Sequence, residues 1–395
     1  MKRVALIHGG WLSAKNGLNT VVNFLLNSKD AFFEKGIEIR RYSYDDLYPR
    51  SFGDAATVNF KYRVRTTLKN ILIKLSKYSS FISWILIKKS LLSGAEIVVR
   101  KYISTNPSEN EVAFFHSIFS CYFFLKNRKN KQPVVVVIHS NGDNLQQIRI
   151  DYPKLAASKY YGILEKMSDY VLENADRFCL VSEGSRNTFL KQYPQVDKNK
   201  VFFIYNGIAM SPNTQKSSLS NPIDICCVGS ICYRKGQHLL VESMIKMKQK
   251  GLPNIHFTIV GGGDTKNDLE NKVKQNHLEQ YFSFVGEKND VTSFLEASDI
   301  FILPSYDEGL PMAIIEAMRA SLPIVATNVG GVAEMVEDKV NGLLIAPEVD
   351  SICSFIQSIN IYDWVKMGEQ ARKTFEEKFS GDIMIDGYST LLLSV

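Results

Sequence analysis

Short, largely apolar runs recur along the whole chain, at residues 4–7, 134–138, 178–181, 201–204, 225–228, 256–260, 300–303 and 324–326. A strand with no polar alternation must be buried on both faces, which is the setting of a parallel strand covered by helices on each side. Segments of helical period separate the runs, so the pattern is that of a doubly wound α/β protein. Residues 4–7 are expected to form a first buried strand rather than a signal peptide. No stretch reaches the roughly 20 apolar residues a membrane span needs.

One break divides the series. Residues 208–222 contain a stretch rich in Ser, Asn and Pro and nearly devoid of apolar side chains, and they read as a linker. The β/α alternation starts afresh after it. The expected organisation is a first Rossmann-like domain over 1–207 and a second over 223–375. A C-terminal helix over 376–395 is expected to pack back on the first domain. The chain of 395 residues, 45% apolar and 22% charged, has enough material for two cores, which excludes disorder, collagen and coiled coil. Six cysteines without a C-x-x-C pair read as reduced core residues of a cytoplasmic protein.

Charge is unevenly distributed. Residues 61–89 hold eight basic side chains and no acidic one, so removing them turns the net +6 into −2. Between the charges lie Leu68, Ile71, Leu72, Leu75, Phe81, Ile82, Trp84, Ile85 and Leu86, mostly three and four apart, which suits an amphipathic helix. Two readings stand: a membrane-surface element contacting anionic lipid through Lys69, Lys74, Lys77, Trp84 and Lys88, or a helix packing its stripe on its own domain. Nucleic acid is not expected as a partner, because no nucleic-acid motif accompanies the charge.

The most informative stretch runs from Leu303 through Glu308, Gly309, Leu310, Pro311 and Met312 to Glu316. A buried strand ends, a polar loop follows, and Pro311 can take the first position of a helix, where no N–H is needed. The backbone N–H groups beyond it form a ready phosphate site at the carboxyl end of the strand. Glu308 and Glu316 can accept hydrogen bonds from vicinal sugar hydroxyls. Taken alone, they also suit a capping residue and a surface residue.

Glu308 and Glu316, separated by seven residues, resemble the E-x7-E motif of retaining GT4-family glycosyltransferases, which have the GT-B fold of two facing Rossmann-like domains with a cleft between them. Residues 323–334 and 341–344 are similar to the family in order and spacing. The resemblance implies that Glu316 binds the nucleotide ribose and Glu308 the donor sugar near the reacting carbon. It makes Lys235 the phosphate-binding lysine, with Arg234 beside it. The family commonly has an arginine where Ser230 stands; either Arg234 supplies that charge or the phosphate clamp is weaker. Gly261 and Gly262 follow a strand, and they suit close approach of a ligand or a plain turn. Val285 lies in a segment resembling the nucleobase contact, and Gly17 matches one glycine of the family's Gly-Gly loop. The resemblance places His139 at the donor sugar or reaction centre, although the residue alone reads as a loop histidine. His116 resembles another family position and reads as structural.

The resemblance thus implies a retaining, metal-independent hexosyltransferase without a cofactor. Its co-substrate would be a nucleotide diphosphate sugar, with UDP or GDP favoured. The acceptor would be a glycan or lipid-linked glycan, as in lipopolysaccharide or capsule synthesis, at the inner face of a membrane. The absence of Asp-x-Asp agrees with a phosphate held by cations and helix N-termini. A nucleotide-sugar epimerase and a silent GT-B scaffold subunit are the alternatives. A dinucleotide oxidoreductase lacks its G-x-G-x-x-G.

Overall fold

The structure is a computed structural model that describes residues 1–12, 17–48, 71–73, 75–213, 215–248 and 251–395. Lys69 and Lys74 lie outside the described residues.

Twelve strands form two parallel sheets of six. In the first, β1 (Lys2–His8), β2 (Ile37–Ser43), β3 (Val112–Phe115), β4 (Val134–Ile138), β5 (Arg177–Leu180) and β6 (Val201–Phe203) are ordered β2-β1-β3-β4-β5-β6. In the second, β7 (Ile223–Val228), β8 (Ile255–Val260), β9 (Phe282–Gly286), β10 (Ile300–Leu303), β11 (Ile324–Thr327) and β12 (Gly342–Ile345) are ordered β12-β11-β10-β7-β8-β9. Each order reverses direction beside its first strand, where α/β sheets open a crevice at the carboxyl ends. The central strand β10 is wholly apolar and buried, and so is β7 from Ile225 to Val228, as helices on both faces require.

The chain divides into two compact units. The first comprises residues 1–181, 186–204 and 385–395, and the second residues 182–185 and 205–384. Ile385–Val395 belong to the first unit because the last helix, Gly381–Leu393, buries Tyr388 against Phe114 on β3, ring centroids 5.5 Å apart. The polar segment 208–222 falls within the second unit. Asp299, its carboxylate fully buried, receives Lys216 Nζ at 2.9 Å and both the N–H and hydroxyl of Ser220 at 3.1 Å. A buried carboxylate must be paired, so this stretch is held to the domain it precedes instead of hanging between domains.

The basic segment also departs from a simple amphipathic helix. Among its described residues, Ser80–Ile87 is helical and leads through a wide turn, Lys88–Leu92, into the helix Ser93–Ser104. Phe81 is 56% exposed and Tyr78 80% exposed, with Ile71, Leu72, Ile73, Leu75 and Ile85 also exposed. Trp84 is different: its indole stacks on Tyr160, centroids 5.5 Å apart and planes 11° from parallel. Trp84 therefore packs within its own unit, and only its neighbours face outward. Among the described residues, no helix is long and apolar enough to cross a membrane.

Candidate functional site

In the second unit three loops converge at the carboxyl ends of the strands, and glycine is what lets them meet. After β7 the backbone passes Gly229 and Ser230 and makes a tight turn at Tyr233–Lys235 that closes on Gly236. Gly236 has φ +72°, and a Cβ there would overlap the carbonyl oxygen of Pro304, just beyond β10. Tyr306 N–H donates to Arg234 O at 2.8 Å across the same contact. The turn that carries Arg234 and Lys235 is thereby pressed against the loop that carries Glu308.

Lys235 Nζ donates to Glu308 Oε1 at 2.6 Å, and Ser305 Oγ donates to the same oxygen at 2.6 Å. Arg234 Nη1 lies 3.8 Å from Glu308 Oε2 and donates to Asp307 O at 2.7 Å. Glu308 is only 6% exposed, so its charge is matched by two cations and a hydroxyl rather than by water. Ser305 is itself held from below, its carbonyl accepting from Thr327 Oγ1 at the end of β11. Burial raises the pKa of Asp307 against the opposing pull of Arg234. Ser230 is exposed and contributes its carbonyl to Gln237 Nε2 at 3.0 Å, whereas Arg234 carries its guanidinium to the glutamate.

Beyond Glu308, Gly309 is half-buried while Leu310, Pro311 and Met312 are buried. Pro311 stands one residue earlier than expected, at the N-cap with ψ 113°, and the helix is Met312–Arg319. The extended backbone of an N-cap suits proline's fixed φ, and Met312 then supplies the first helical N–H. Glu316 lies on this helix, half-buried. Burial raises its pKa to about 7, with Arg319 opposing and Asp290 adding to the rise. Near neutrality its carboxyl is thus divided between acid and anion.

The glycines after β8 answer to backbone contact. A Cβ on Gly261 (φ +153°) would overlap Gly229 O, and one on Gly263 would overlap Ile231 O. Gly262 faces the Glu287 side chain, whose Cγ a Cβ would approach to 2.8 Å. The loops after β7 and β8 continue pairing beyond the strands, with Ile231 N–H on Gly262 O at 2.8 Å. Val285 is half-buried in β9, which β7 and β8 separate from β10.

Gly17 and His139 belong to the first unit. Gly17 opens the helix Gly17–Asn27; residues 13–16, which include Asn16, lie outside the described residues. His139 follows β4 directly and does not stand alone. His116, following β3, places Nδ1 2.9 Å from His139 Nε2, with the rings stacked 28° from parallel. His8 ends β1. Burial depresses the pKa of His139 to about 3 and of His8 to about 4, with Asp45 opposing at His8, and burial beside His139 and His8 holds His116 well below its ordinary value. All three imidazoles are neutral. Sequence reading missed the pairing of Ser305 with Glu308 and the place of His8. The shared histidine at the ends of three neighbouring strands was the available signal. Among the described residues, no group of three His, Cys, Asp or Glu side chains is placed to hold a metal ion.

Two family models match the chain, one described as Glycosyltransferase Family 4 over residues 99–211 and one as Glycosyl transferases group 1 over 211–373. An uncharacterized glycosyltransferase of Haemophilus influenzae is 33% identical over 170 residues, 43% of this chain and 47% of that protein. The UDP-Gal:α-D-GlcNAc-diphosphoundecaprenol α-1,3-galactosyltransferase of Escherichia coli is 31% identical over 194 residues, 46% of this chain and 49% of that protein. These alignments span about half the length of the curated relatives. Among solved structures, Anabaena HepE in complex with UDP and glucose aligns over 100% of this chain and 99% of its own, TM-score 0.67, at 17% identity. Sucrose-phosphate synthase from Thermosynechococcus elongatus aligns over 100% and 99%, TM-score 0.69, at 19% identity. At such identities the structures speak for the fold, the GT-B class. With the two family models in order over residues 99–373, the chain belongs to the GT4-type glycosyltransferases.

Proposed function

We propose that the protein transfers a hexose, with retention, from a UDP- or GDP-sugar to a lipid-linked or surface glycan precursor, without a metal. The observation that carries this reading is the buried Glu308 carboxylate held between Lys235 and Arg234 at the carboxyl ends of β7 and β10. A nucleoside diphosphate leaving group needs positive charge placed where its own charge develops. Lys235 and Arg234 supply it, and the N–H groups that open the helix at Met312 add theirs. Glu316, lying along that helix, accepts the ribose hydroxyls. Glu308 accepts donor-sugar hydroxyls with the oxygen that Lys235 leaves free.

Glu308 Oε1 already accepts from Lys235 and Ser305, which makes it a poor nucleophile. The reading therefore takes same-face displacement: the acceptor oxygen bonds to the anomeric carbon as the carbon–phosphate oxygen bond breaks. The acceptor proton passes to the departing phosphate oxygen. The E. coli relative, whose name specifies a UDP-sugar, a diphosphoundecaprenol acceptor and an α-linkage, supports both the donor class and the acceptor class.

The exposed face of the basic segment supports membrane attachment from the cytoplasmic side. Phe81, Ile85 and Tyr78 are exposed beside Lys77, Lys88 and Lys89, with no acid among them. Each lysine near an anionic surface contributes about 1 kcal/mol.

The test is incubation with radiolabelled UDP- and GDP-sugars and polyprenyl-diphosphate glycan, after a thermal-shift screen for the base. A nucleotide at 100 times its Kd stabilises by about 2.7 kcal/mol. Label appearing in the lipid fraction supports transfer. An epimerised sugar nucleotide with no acceptor product, or no nucleotide binding at all, overturns it in favour of an epimerase or a silent subunit.

A further inference from the structure

The histidines of the first unit form a proton arrangement that the site residues alone do not explain. In the parallel register Ile7 lies beside Phe115, and Phe115 beside Val136. One step on, His8 meets His116, and His116 stands level with Val137, two residues before His139. Because side chains two residues apart share a sheet face, all three imidazoles lie on the same face. His116 Nδ1 and His139 Nε2 are 2.9 Å apart, a hydrogen bond. His116 is 3% exposed, and its other nitrogen, Nε2, is buried without a partner, as is His8 Nδ1. His139 is half-buried.

A neutral imidazole has one ring proton, and only one proton can lie between the two rings. If His139 Nε2 were the donor, His116 would carry its proton on Nε2, leaving a buried N–H with no acceptor. If His116 Nδ1 is the donor, only a lone pair is left unpaired at Nε2. Buried N–H groups without partners are rarer in proteins than under-satisfied acceptors. We propose that His116 is a positioning residue that donates its Nδ1–H to His139 Nε2 and so confines the His139 proton to Nδ1. His139 then offers its ligand an N–H donor rather than a lone pair. The functional meaning rests on the reading of His139 as a donor-side residue; the tautomer itself does not. Which imidazole nitrogen is protonated is set by the hydrogen bond the other nitrogen makes. The class of ligand atom that fits is a sugar hydroxyl oxygen, accepting from His139 Nδ1–H.

The experiment uses the full chain labelled with 15N at histidine, without ligand, with His139 assigned by the signal lost in His139→Gln. Long-range proton–nitrogen correlation separates a protonated ring nitrogen from a bare one. The wild type should show His139 protonated at Nδ1 and bare at Nε2. His116→Asn, whose amide nitrogen can replace Nδ1 as donor, should keep that pattern, and His116→Phe should shift the His139 proton to Nε2. A wild-type His139 protonated at Nε2, or an unchanged pattern in His116→Phe, overturns the proposal. If His116→Phe does not fold, the wild-type and His116→Asn spectra still decide. In the transfer assay, His116→Phe should lower kcat by about two- to tenfold, the worth of one neutral hydrogen bond, with His116→Asn restoring it. Normal turnover in His139→Gln together with the Nδ1-protonated spectrum would support the tautomer and remove His139 from the donor site instead.

Discussion

Replacing Glu316 by glutamine tests the electrostatics of the second unit and the ribose assignment in one protein. Its carboxyl titrates near 4.5 in an unfolded chain and near 7 in the folded one, chiefly through burial. The folded state therefore binds the proton more tightly. Between those two pH values stability falls as pH rises, because the unfolded state ionises first. The span corresponds to about 3 kcal/mol, complete above pH 7 and absent below pH 4.5. Glutamine, neutral throughout, lacks this pH-dependent loss. Glu316→Gln should thus gain on the wild type by about 3 kcal/mol between pH 4.5 and pH 8, or roughly 6–12 °C in Tm for a unit of this size. Thermal unfolding across that range, followed in the second unit, measures it. Parallel wild-type and variant profiles would refute the buried, proton-retaining carboxyl. The same titration governs the donor: ribose hydroxyls favour the anion, so nucleotide affinity should fall toward a limit of about tenfold per pH unit below pH 7. Glu316→Gln should bind weakly and without that slope, by isothermal calorimetry. A pH-independent affinity in the wild type would remove Glu316 from the ribose.

Lys235→Ala should weaken a nucleoside diphosphate by about tenfold or more while sparing the monophosphate, since a charge-assisted bond is worth roughly 1.5–3 kcal/mol; equal losses in competition binding would move Lys235 away from the β-phosphate. Ser305→Ala should cost the ligand-free protein about 1–3 kcal/mol in denaturant unfolding, because buried Glu308 loses a donor, and no loss would mean the pair with Lys235 suffices. Phe81→Ala should reduce flotation with anionic vesicles and leave Tm nearly unchanged, while Trp84→Ala should lower Tm by removing the stack on Tyr160 and leave flotation nearly unchanged. Flotation should also fall with rising salt, since the attraction is screened within about 8 Å at physiological ionic strength. Wild-type protein that fails to float at low salt would make the basic segment a packing element alone.

Eight of the twelve strands were legible as apolar runs in the sequence, whereas the central β3 and the edge strands β2, β9 and β12 were not among them. β4 and β10 are unbroken apolar runs, as is Ile225–Val228 of β7, because both faces are covered. The edge strand β2 was not legible: Glu38, Arg40 and Arg41 interrupt it, since an edge is buried on fewer sides and tolerates charge. The E-x7-E spacing placed Glu308 and Glu316 on one loop and helix, a local geometry that spacing along the chain determines.

What spacing cannot carry is contact between residues far apart in the chain. Lys235 and Glu308 meet across 73 positions because Gly236 lets one loop press on the next. The glycines after β8 match a ligand loop in sequence, yet Gly261 and Gly263 are required by backbone against backbone. Trp84 and Phe81 are three residues apart and equivalent by helical period. Tyr160, brought from 76 positions away, takes Trp84 in a stack at 5.5 Å, whereas Phe81, tilted 6.4 Å from the same ring, stays 56% exposed. Local propensity and periodicity determine which elements form and which face is apolar. Which apolar or charged group finds a partner is decided by the packing of the whole unit, because burial and pairing energies depend on neighbours that only the tertiary structure supplies.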